Sequence, residues 1–67
     1  MKAKFGKENG EVIEITEGKN VTITTYKEKL NGKLVTIGEN YIEMYVTDLE
    51  QYRSILSVGI KDIEILD

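Results

Sequence analysis

The chain has 67 residues, contains no cysteine, histidine, proline or tryptophan, and carries a formal net charge of −3. A chain of this length forms one small domain at most, and such a domain buries only about 60% of its unfolded surface. The missing cysteines exclude disulfides and thiolate metal sites, and the missing histidines exclude the usual general base near neutral pH. Small domains without these stabilising features often oligomerise, so we expect a single domain over residues 1–67 that forms a homo-oligomer. A well-packed monomer is the alternative, since many domains of about 55–65 residues fold alone.

Charge is distributed unevenly along the chain. Residues 1–38 contain seven lysines and five glutamates, whereas residues 39–67 contain one lysine, one arginine and seven acidic residues. The chain therefore lacks the overall basic charge of a typical DNA-binding domain. No apolar run approaches the ~20 residues that a membrane span needs, and no apolar segment follows the charged start. We therefore expect a cytoplasmic protein that does not bind a membrane.

The first third of the chain alternates between apolar and polar residues, which is typical of β-strands. Asn9-Gly10 predicts a tight type I′ hairpin, because both central positions of that turn take positive φ. The predicted strands are KAKF (2–5), EVIEIT (11–16) and VTITTY (21–26), with a turn at 17–20.

The segment from Lys27 to Ile37 has two interpretations, because Asn31-Gly32 within it could form a second hairpin or bend one long strand. A hairpin would leave only KEKL before the turn, which is a poor strand with little apolar surface. We therefore expect one bent strand. Leu30 and Leu34 should lie on one face of it, with Val35 and Ile37 on the other.

A turn at Gly38–Asn40 and a strand at 41–46 follow. In YIEMYV, the Ile, Met and Val side chains are predicted to point inward and Tyr41 and Tyr45 outward. Two tyrosines in this arrangement are common in cross-strand packing, and they could also stack on nucleic-acid bases. We favour the packing interpretation.

Residues 47–56 also leave two alternatives open. Thr47 and Glu50 have the spacing of a helix capping box, and apolar residues recur at helical spacing, which together favour a short helix at 48–55. The other interpretation is a polar DLEQ loop followed by a strand YRSILSV, which we favour because it completes a barrel. A turn at 59–62 and a last strand at 63–66 would end the domain.

No arrangement of residues indicates catalysis. The serines and threonines have no histidine to activate them, and a pair of Ser57 with Lys61 has no distinguishing spacing. The glycines are single, so no phosphate-binding loop is present, and no EF-hand pattern occurs. We therefore expect neither an enzyme nor a bound cofactor or metal.

The segment from residue 21 to 66 resembles the Sm-like barrels of the LSm and Hfq type. In that family a bent second strand contains Gly-x-Leu and an apolar residue three positions later, which Gly32, Leu34 and Ile37 match. The aspartate and asparagine with which uridine-binding members contact RNA are replaced here by Gly38 and Ile42. The Arg-Gly of the second family motif is Val58-Gly59, and residues 1–16 read as strands where the family has a helix.

The resemblance implies a small all-β barrel of five to six strands, SH3-like or Sm-like, whose subunits join through edge strands into a ring. It also implies that single-stranded RNA, if bound, lies against the two loops on the pore side. Asn40 would then bond a base edge and Tyr41 would stack on a base; a turn role for Asn40 is the alternative that we favour. The implied RNA contacts are Glu39, Asn40, Tyr41, Gly59 and Lys61.

Two functions are consistent with these patterns. The first is a non-catalytic ring-forming module that binds RNA. The second is a protein-interaction or assembly adaptor with an SH3-like barrel, such as a structural protein of a phage or mobile element, that binds no nucleic acid. The acidic charge and the altered RNA positions favour the second, and the barrel resemblance favours the first.

Overall fold

The computed structural model describes residues 1–66, and most of them lie in β-strands, which confirms the expected all-β fold. One turn of 3-10 helix, Ser57–Gly59, precedes the last strand. The seven strands are β1 (Lys2–Gly6), β2 (Val12–Thr16), β3 (Asn20–Thr25), β4 (Lys29–Ile37), β5 (Tyr41–Val46), β6 (Gln51–Leu56) and β7 (Ile60–Ile65).

The strands form two antiparallel sheets, a β1–β2 hairpin and a five-stranded sheet in the order β6-β5-β4-β3-β7. Strands β6 and β7 lie at opposite edges of the larger sheet, yet residues 57–59 alone connect them. Four strand spacings in a flat sheet would separate them by about 19 Å, whereas four residue steps reach at most about 14 Å. The sheet must therefore curve, as in a barrel, and it stays open along a seam between β6 and β7.

The β1–β2 hairpin covers one side of this curved sheet. Ile15 is buried, and Ala3, Phe5 and Ile13 pack against the core. The turn that follows β2 is bonded to the middle of β4, since the Gly18 N–H donates to the Leu34 carbonyl over 2.7 Å. The hairpin adds two strands to the five of the larger sheet, so the strand count exceeds the expected five to six.

The β1–β2 turn differs from the predicted type I′ hairpin. Gly10 has a φ of 94°, but Asn9 does not have a positive φ. The Lys7 N–H donates to the Glu11 carbonyl, and the Gly10 N–H donates to the Lys7 carbonyl, which leaves a three-residue loop. The Asn9 side chain accepts the Glu11 N–H at 3.0 Å, and this bond favours the ordinary backbone region for Asn9.

Strand β4 is continuous through Gly32, as the interpretation of one long strand predicted. Gly32 pairs with Val21 on β3 and with Val46 on β5. A Cβ atom at this position would overlap the carbonyl oxygen of Tyr45. The glycine is therefore required because the β5 backbone passes directly over it.

The predicted faces of β4 are wrong after Leu34, because a β-bulge intervenes. Leu34 pairs with Met44 and Thr36 pairs with Glu43, which leaves Val35 as the extra residue. One extra residue reverses the alternation of side chains. Ile37 therefore returns to the core, with 6% of its surface exposed, instead of sharing the outer face with Val35.

Residues 47–50 form a turn and residues 51–56 form β6, so the alternative of a helix at 48–55 is wrong. Six residues of β6 pair with β5, from Gln51 opposite Val46 to Leu56 opposite Tyr41. A helix of so few residues is marginal by itself and would forgo this pairing. Strand β7 also begins at Ile60, earlier than the predicted residue 63, because the Ile60 end already pairs with Thr25 on β3.

The core lies between the curved sheet and the hairpin, and β3, β4 and β5 supply most of it. Val21 and Ile23 are buried, and so is Thr22, whose hydroxyl donates to Asn31 Oδ1 over 2.6 Å. The buried apolar residues are Ile15, Val21, Ile23, Leu30, Leu34, Ile37, Ile42, Met44, Val46, Ile60 and Ile63.

We expect Gly32→Ala to lower the free energy of unfolding by about 1–3 kcal/mol or more, because the obstacle is backbone that cannot rotate away. Urea denaturation followed by circular dichroism measures the loss. Gly59→Ala is the matched control, since an added Cβ there meets no atom within 4 Å. Equal losses in the two variants would contradict the close approach at Gly32.

We expect Glu17 to make stability depend on acid pH. The Ile37 N–H donates to Glu17 Oε2 over 2.8 Å, and this bond, with help from the terminal ammonium group, holds the pKa of the Glu17 carboxyl below its ordinary value of 4.5. The stabilisation that the ionised Glu17 carboxylate gives to the folded state is therefore fully present above the ordinary pKa of 4.5. This stabilisation is lost as the pH falls through the lowered pKa of the folded protein. Thermal melts of Glu17→Gln and of the parent chain should differ at neutral pH and converge in acid; a difference that does not change with pH would refute this role.

Candidate functional site

Three of the five residues that the resemblance implicates in RNA contacts lie together at the β4–β5 turn, namely Glu39, Asn40 and Tyr41. Glu39 and Asn40 are exposed, and the turn closes through a bond from the Gly38 N–H to the Tyr41 carbonyl at 2.8 Å. The Asn40 carbonyl accepts the Ser57 N–H at 3.0 Å. The β4–β5 turn therefore touches the start of the 3-10 turn that contains Gly59.

Tyr41 is not a free stacking platform. A Cβ atom on Gly38 would overlap the Tyr41 ring, so the ring lies against the backbone of the β4–β5 turn. Its exposed fraction is 39%. A base could therefore stack on one side of the ring at most, and Asn40, which has no positive φ, does not take the left-handed turn role that we favoured.

Lys61 belongs to a different polar cluster, formed where β7 meets the β1–β2 turn. Its Nζ lies 5.6 Å from the centre of the Tyr26 ring, and the Tyr26 hydroxyl donates to Glu8 Oε2 over 3.2 Å. Lys7 and Asp62 form an ion pair of 3.3 Å beside them, at a depression of about 410 Å³. Among the described residues, the contact of the Lys61 ammonium group is with Tyr26 and not with the β4–β5 turn.

A groove of about 400 Å³ follows the open seam beside β6, and the sequence analysis did not find it. Arg53 on β6 crosses it to reach Glu28 in the β3–β4 turn, with 3.3 Å between Nη1 and Oε2. Val58 at its edge is 87% exposed. The groove forms because curvature brings the β3–β4 turn to β6, which are about 25 residues apart in the chain. Leu56 and Val58, which are both apolar and exposed, lie beside this groove.

The outer edge of β6 carries unpaired backbone groups. Ser57 donates to Asn40 across the β5–β6 pair, so alternation in an antiparallel ladder directs Ile55 and Arg53 toward β5 as well. The backbone groups of Tyr52, Ser54 and Leu56 therefore point away from β5. No other strand among residues 1–66 pairs with this edge.

The outer edge of β7 is open over its second half. The Leu66 N–H donates to the Asn20 carbonyl toward β3, so alternation directs the backbone groups of Ile65 and Ile63 away from it. Earlier in the strand, the Lys61 carbonyl accepts the Glu8 N–H at 3.4 Å. The β1–β2 turn thus covers one end of this edge and leaves the other end free.

Within residues 1–66, no three acidic side chains converge where a metal ion could be held. The same residues contain no helix that is long and apolar enough to cross a bilayer. Comparisons with protein-family models, with curated proteins and with solved structures found no match to this chain. The Sm-like resemblance therefore stays a prediction from the sequence.

We expect the Tyr26 hydroxyl to titrate at a higher pH than an ordinary tyrosine. Its bond to the Glu8 carboxylate, together with the negative charge of that group, raises the pKa of Tyr26 above its ordinary value of 10.0. Glu8→Gln should lower the Tyr26 pKa toward that value, as measured by tyrosinate absorbance and assigned with Tyr26→Phe. Glu14→Gln, on an exposed position of β2, is the control and should leave the titration unchanged. An unaltered titration in Glu8→Gln would show that the contact does not persist in solution.

Proposed function

We propose that this chain is a non-catalytic assembly module that forms a homo-oligomer by adding the β7 edge of one copy to the β6 edge of the next. The observation that carries the proposal is that both outer strands of the curved sheet present unpaired backbone groups. An exposed edge of this kind pairs readily with a strand from another chain.

Strand β6 lacks the usual features that protect an edge. It has no proline and no lysine, and its one charged side chain, Arg53, turns into the groove to meet Glu28. Its pairing with β5 runs through all six residues without a bulge. Bulges, prolines and outward lysines are the common means of preventing edge-to-edge association. Their absence supports an edge that is covered in the working state of the protein.

The two edges complement each other in charge. Strand β6 carries one positive charge, Arg53, whereas β7 carries Lys61, Asp62 and Glu64 and is net negative. Individual exposed ion pairs contribute little, so this pattern favours one partner orientation more than it adds affinity. It supports pairing of β6 with β7 over pairing of β6 with a second β6.

An interface between two different edges is head-to-tail. Such an interface forms a closed ring when a whole number of subunit rotations adds up to 360°, and otherwise it extends into a filament. Oligomerisation would also add buried surface to a domain that has no cysteine for a disulfide and, among residues 1–66, no cluster of side chains that could hold a metal. A ring is the arrangement that the Sm-like resemblance implies.

The adaptor function is the second candidate, and the groove beside β6 favours it. An extended segment of another protein could add to the same edge while its side chains enter the groove. RNA binding by a ring stays a prediction, and the separation of Lys61 from the β4–β5 turn, together with the carboxylate of Glu39, weakens it. Titration of the oligomer with short uridine-rich and adenine-rich RNA across salt concentrations tests it, and no binding at low salt would exclude it.

Two proline variants test the head-to-tail assembly. Ser54→Pro removes an outward N–H from β6 and leaves β7 free, whereas Ile65→Pro removes one from β7 and leaves β6 free. Light scattering coupled to size exclusion should give a multiple of the 7.6 kDa subunit mass for the parent chain and a monomer for each variant. An equimolar mixture of the two variants should form a dimer and stop there, because each retains one intact edge.

Circular dichroism establishes that both variants remain folded, which is the control for this experiment. A parent chain that is monomeric throughout the accessible concentration range would overturn the proposal. A dimeric parent whose Ile65→Pro variant is still dimeric would also overturn it, since pairing between two β6 edges would then explain the association. A monomeric parent that captures a single protein partner through β6 would move the adaptor function to first place.

A further inference from the structure

The outer face of β5 and β6 carries three tyrosines and a leucine around one glutamate. On β5 the side chains of this face alternate with buried core residues, and on β6 they alternate with Arg53 and Ile55. Across the pair, Tyr41 lies opposite Leu56 and Tyr45 lies opposite Tyr52. We call this surface the tyrosine face, and its members are Tyr41, Glu43, Tyr45, Tyr52 and Leu56.

The tyrosine face contains an aromatic pair and is accessible. The rings of Tyr45 and Tyr52 meet edge to face, with 5.1 Å between their centroids and 68° between their planes. Tyr52 is 64% exposed and Leu56 is 61% exposed. An aromatic pair held in this geometry loses little conformational freedom when a ligand binds.

Acidic residues predominate in the segment that carries these rings. Residues 39–52 include four acidic residues and no lysine or arginine. Glu43 is half-buried at the centre of the face and accepts a hydrogen bond from the Thr36 hydroxyl at 3.4 Å, with no cation paired to it in the described chain. Arg53 is held on the other side of β6 by Glu28, and Lys33, opposite Tyr45 on β4, borders the face away from β6.

We propose that the tyrosine face binds an extended peptide segment that carries arginines on alternate residues. A guanidinium group stacks on a tyrosine ring and can also present two N–H donors to a carboxylate such as Glu43. Alternate side chains of an extended peptide are about 6.6–6.8 Å apart, which is also the spacing of Tyr41, Glu43 and Tyr45 along β5. Tyr41, Glu43 and Tyr45 therefore have the same spacing as three alternate side chains of such a peptide.

The same charges disfavour a nucleic acid on this face. Tyrosines can stack on bases, but single-strand binding also requires cations along the path of the phosphates. Here Glu43, a carboxylate, lies between Tyr41 and Tyr45 on β5, and Lys33 borders the face on one side. The aromatic pattern therefore supports a cationic peptide and not a polyanion. This inference goes beyond the proposed assembly, because strand addition uses the β6 edge and not the face.

A labelled peptide of four Arg-Thr repeats, blocked at both ends, is the probe, and fluorescence anisotropy with the full chain measures its binding. The same peptide with citrulline in place of arginine keeps the shape and removes the charge. We expect saturable binding of the arginine peptide and about tenfold weaker binding of the citrulline peptide. A uridine octanucleotide should bind more weakly than the arginine peptide.

Variants locate the site. Tyr52→Ala and Glu43→Gln should each weaken binding by about two- to fivefold. Tyr26→Ala and Glu14→Gln are the matched controls, because Tyr26 is 66% exposed and Glu14 is exposed, and both lie away from the tyrosine face. These controls should bind the peptide as the parent chain does.

Absence of saturable binding would overturn the inference. Equal losses in Glu14→Gln and Glu43→Gln would overturn it as well, since attraction to net charge would then suffice. Tyr26 lines the groove beside β6, so a loss of binding in Tyr26→Ala would place the peptide in that groove instead. Tighter binding of the oligonucleotide would replace the peptide with a nucleic acid. If the chain assembles head to tail but does not bind the peptide, this inference alone is refuted. If the chain is monomeric but binds the peptide, the proposed assembly alone is refuted.

Discussion

The close approach of β5 to β4 at Gly32 is the constraint on which the rest of the structure depends. Gly32 pairs with strands on both of its sides, and the Tyr45 carbonyl oxygen occupies the space that a Cβ atom would need. A side chain here would push β5 outward and flatten the sheet. Curvature is what allows three residues to connect β6 with β7. The same curvature brings the β3–β4 turn to β6 and forms the groove there.

The bulge at Val35 is the second constraint, and it shows how far one residue can change a face. Without the bulge, Ile37 would point to the same side as Lys33 and leave the core incomplete at the end of β4. With it, Ile37 pairs with Ile42 and is buried, while its N–H turns to Glu17. That bond fastens the β2–β3 turn to the sheet, so the bulge also determines where the hairpin lies.

The sequence predicted most strands because alternation and turn residues are local signals, and the single β4 strand followed from the poor strand-forming character of KEKL. The bulge at Val35 and the early start of β7 were not predictable, because each is decided by the register of a neighbouring strand. At residues 47–56 the spacing of a helix capping box favoured a helix, but six residue pairs with β5 stabilise the strand β6 instead. The candidate site was predicted least well. Lys61 contacts Tyr26 and not the β4–β5 turn, a placement that no spacing in the sequence reports. The groove joins two segments that are distant in the chain.

Strand β6 combines two kinds of surface, and their chemistry differs. Its edge presents backbone groups, which pair with any extended strand and so give affinity with little selectivity. Its outer face presents Tyr52 next to Tyr45 and near Glu43, which distinguishes cations from anions. Because backbone pairing lies in the plane of the sheet and side chains stand perpendicular to it, one strand can use both surfaces at the same time. Assembly through the edge would repeat the acidic tyrosine face around an oligomer. Repetition of a weak site raises its effective affinity for a ligand with repeated cations, without any new contact.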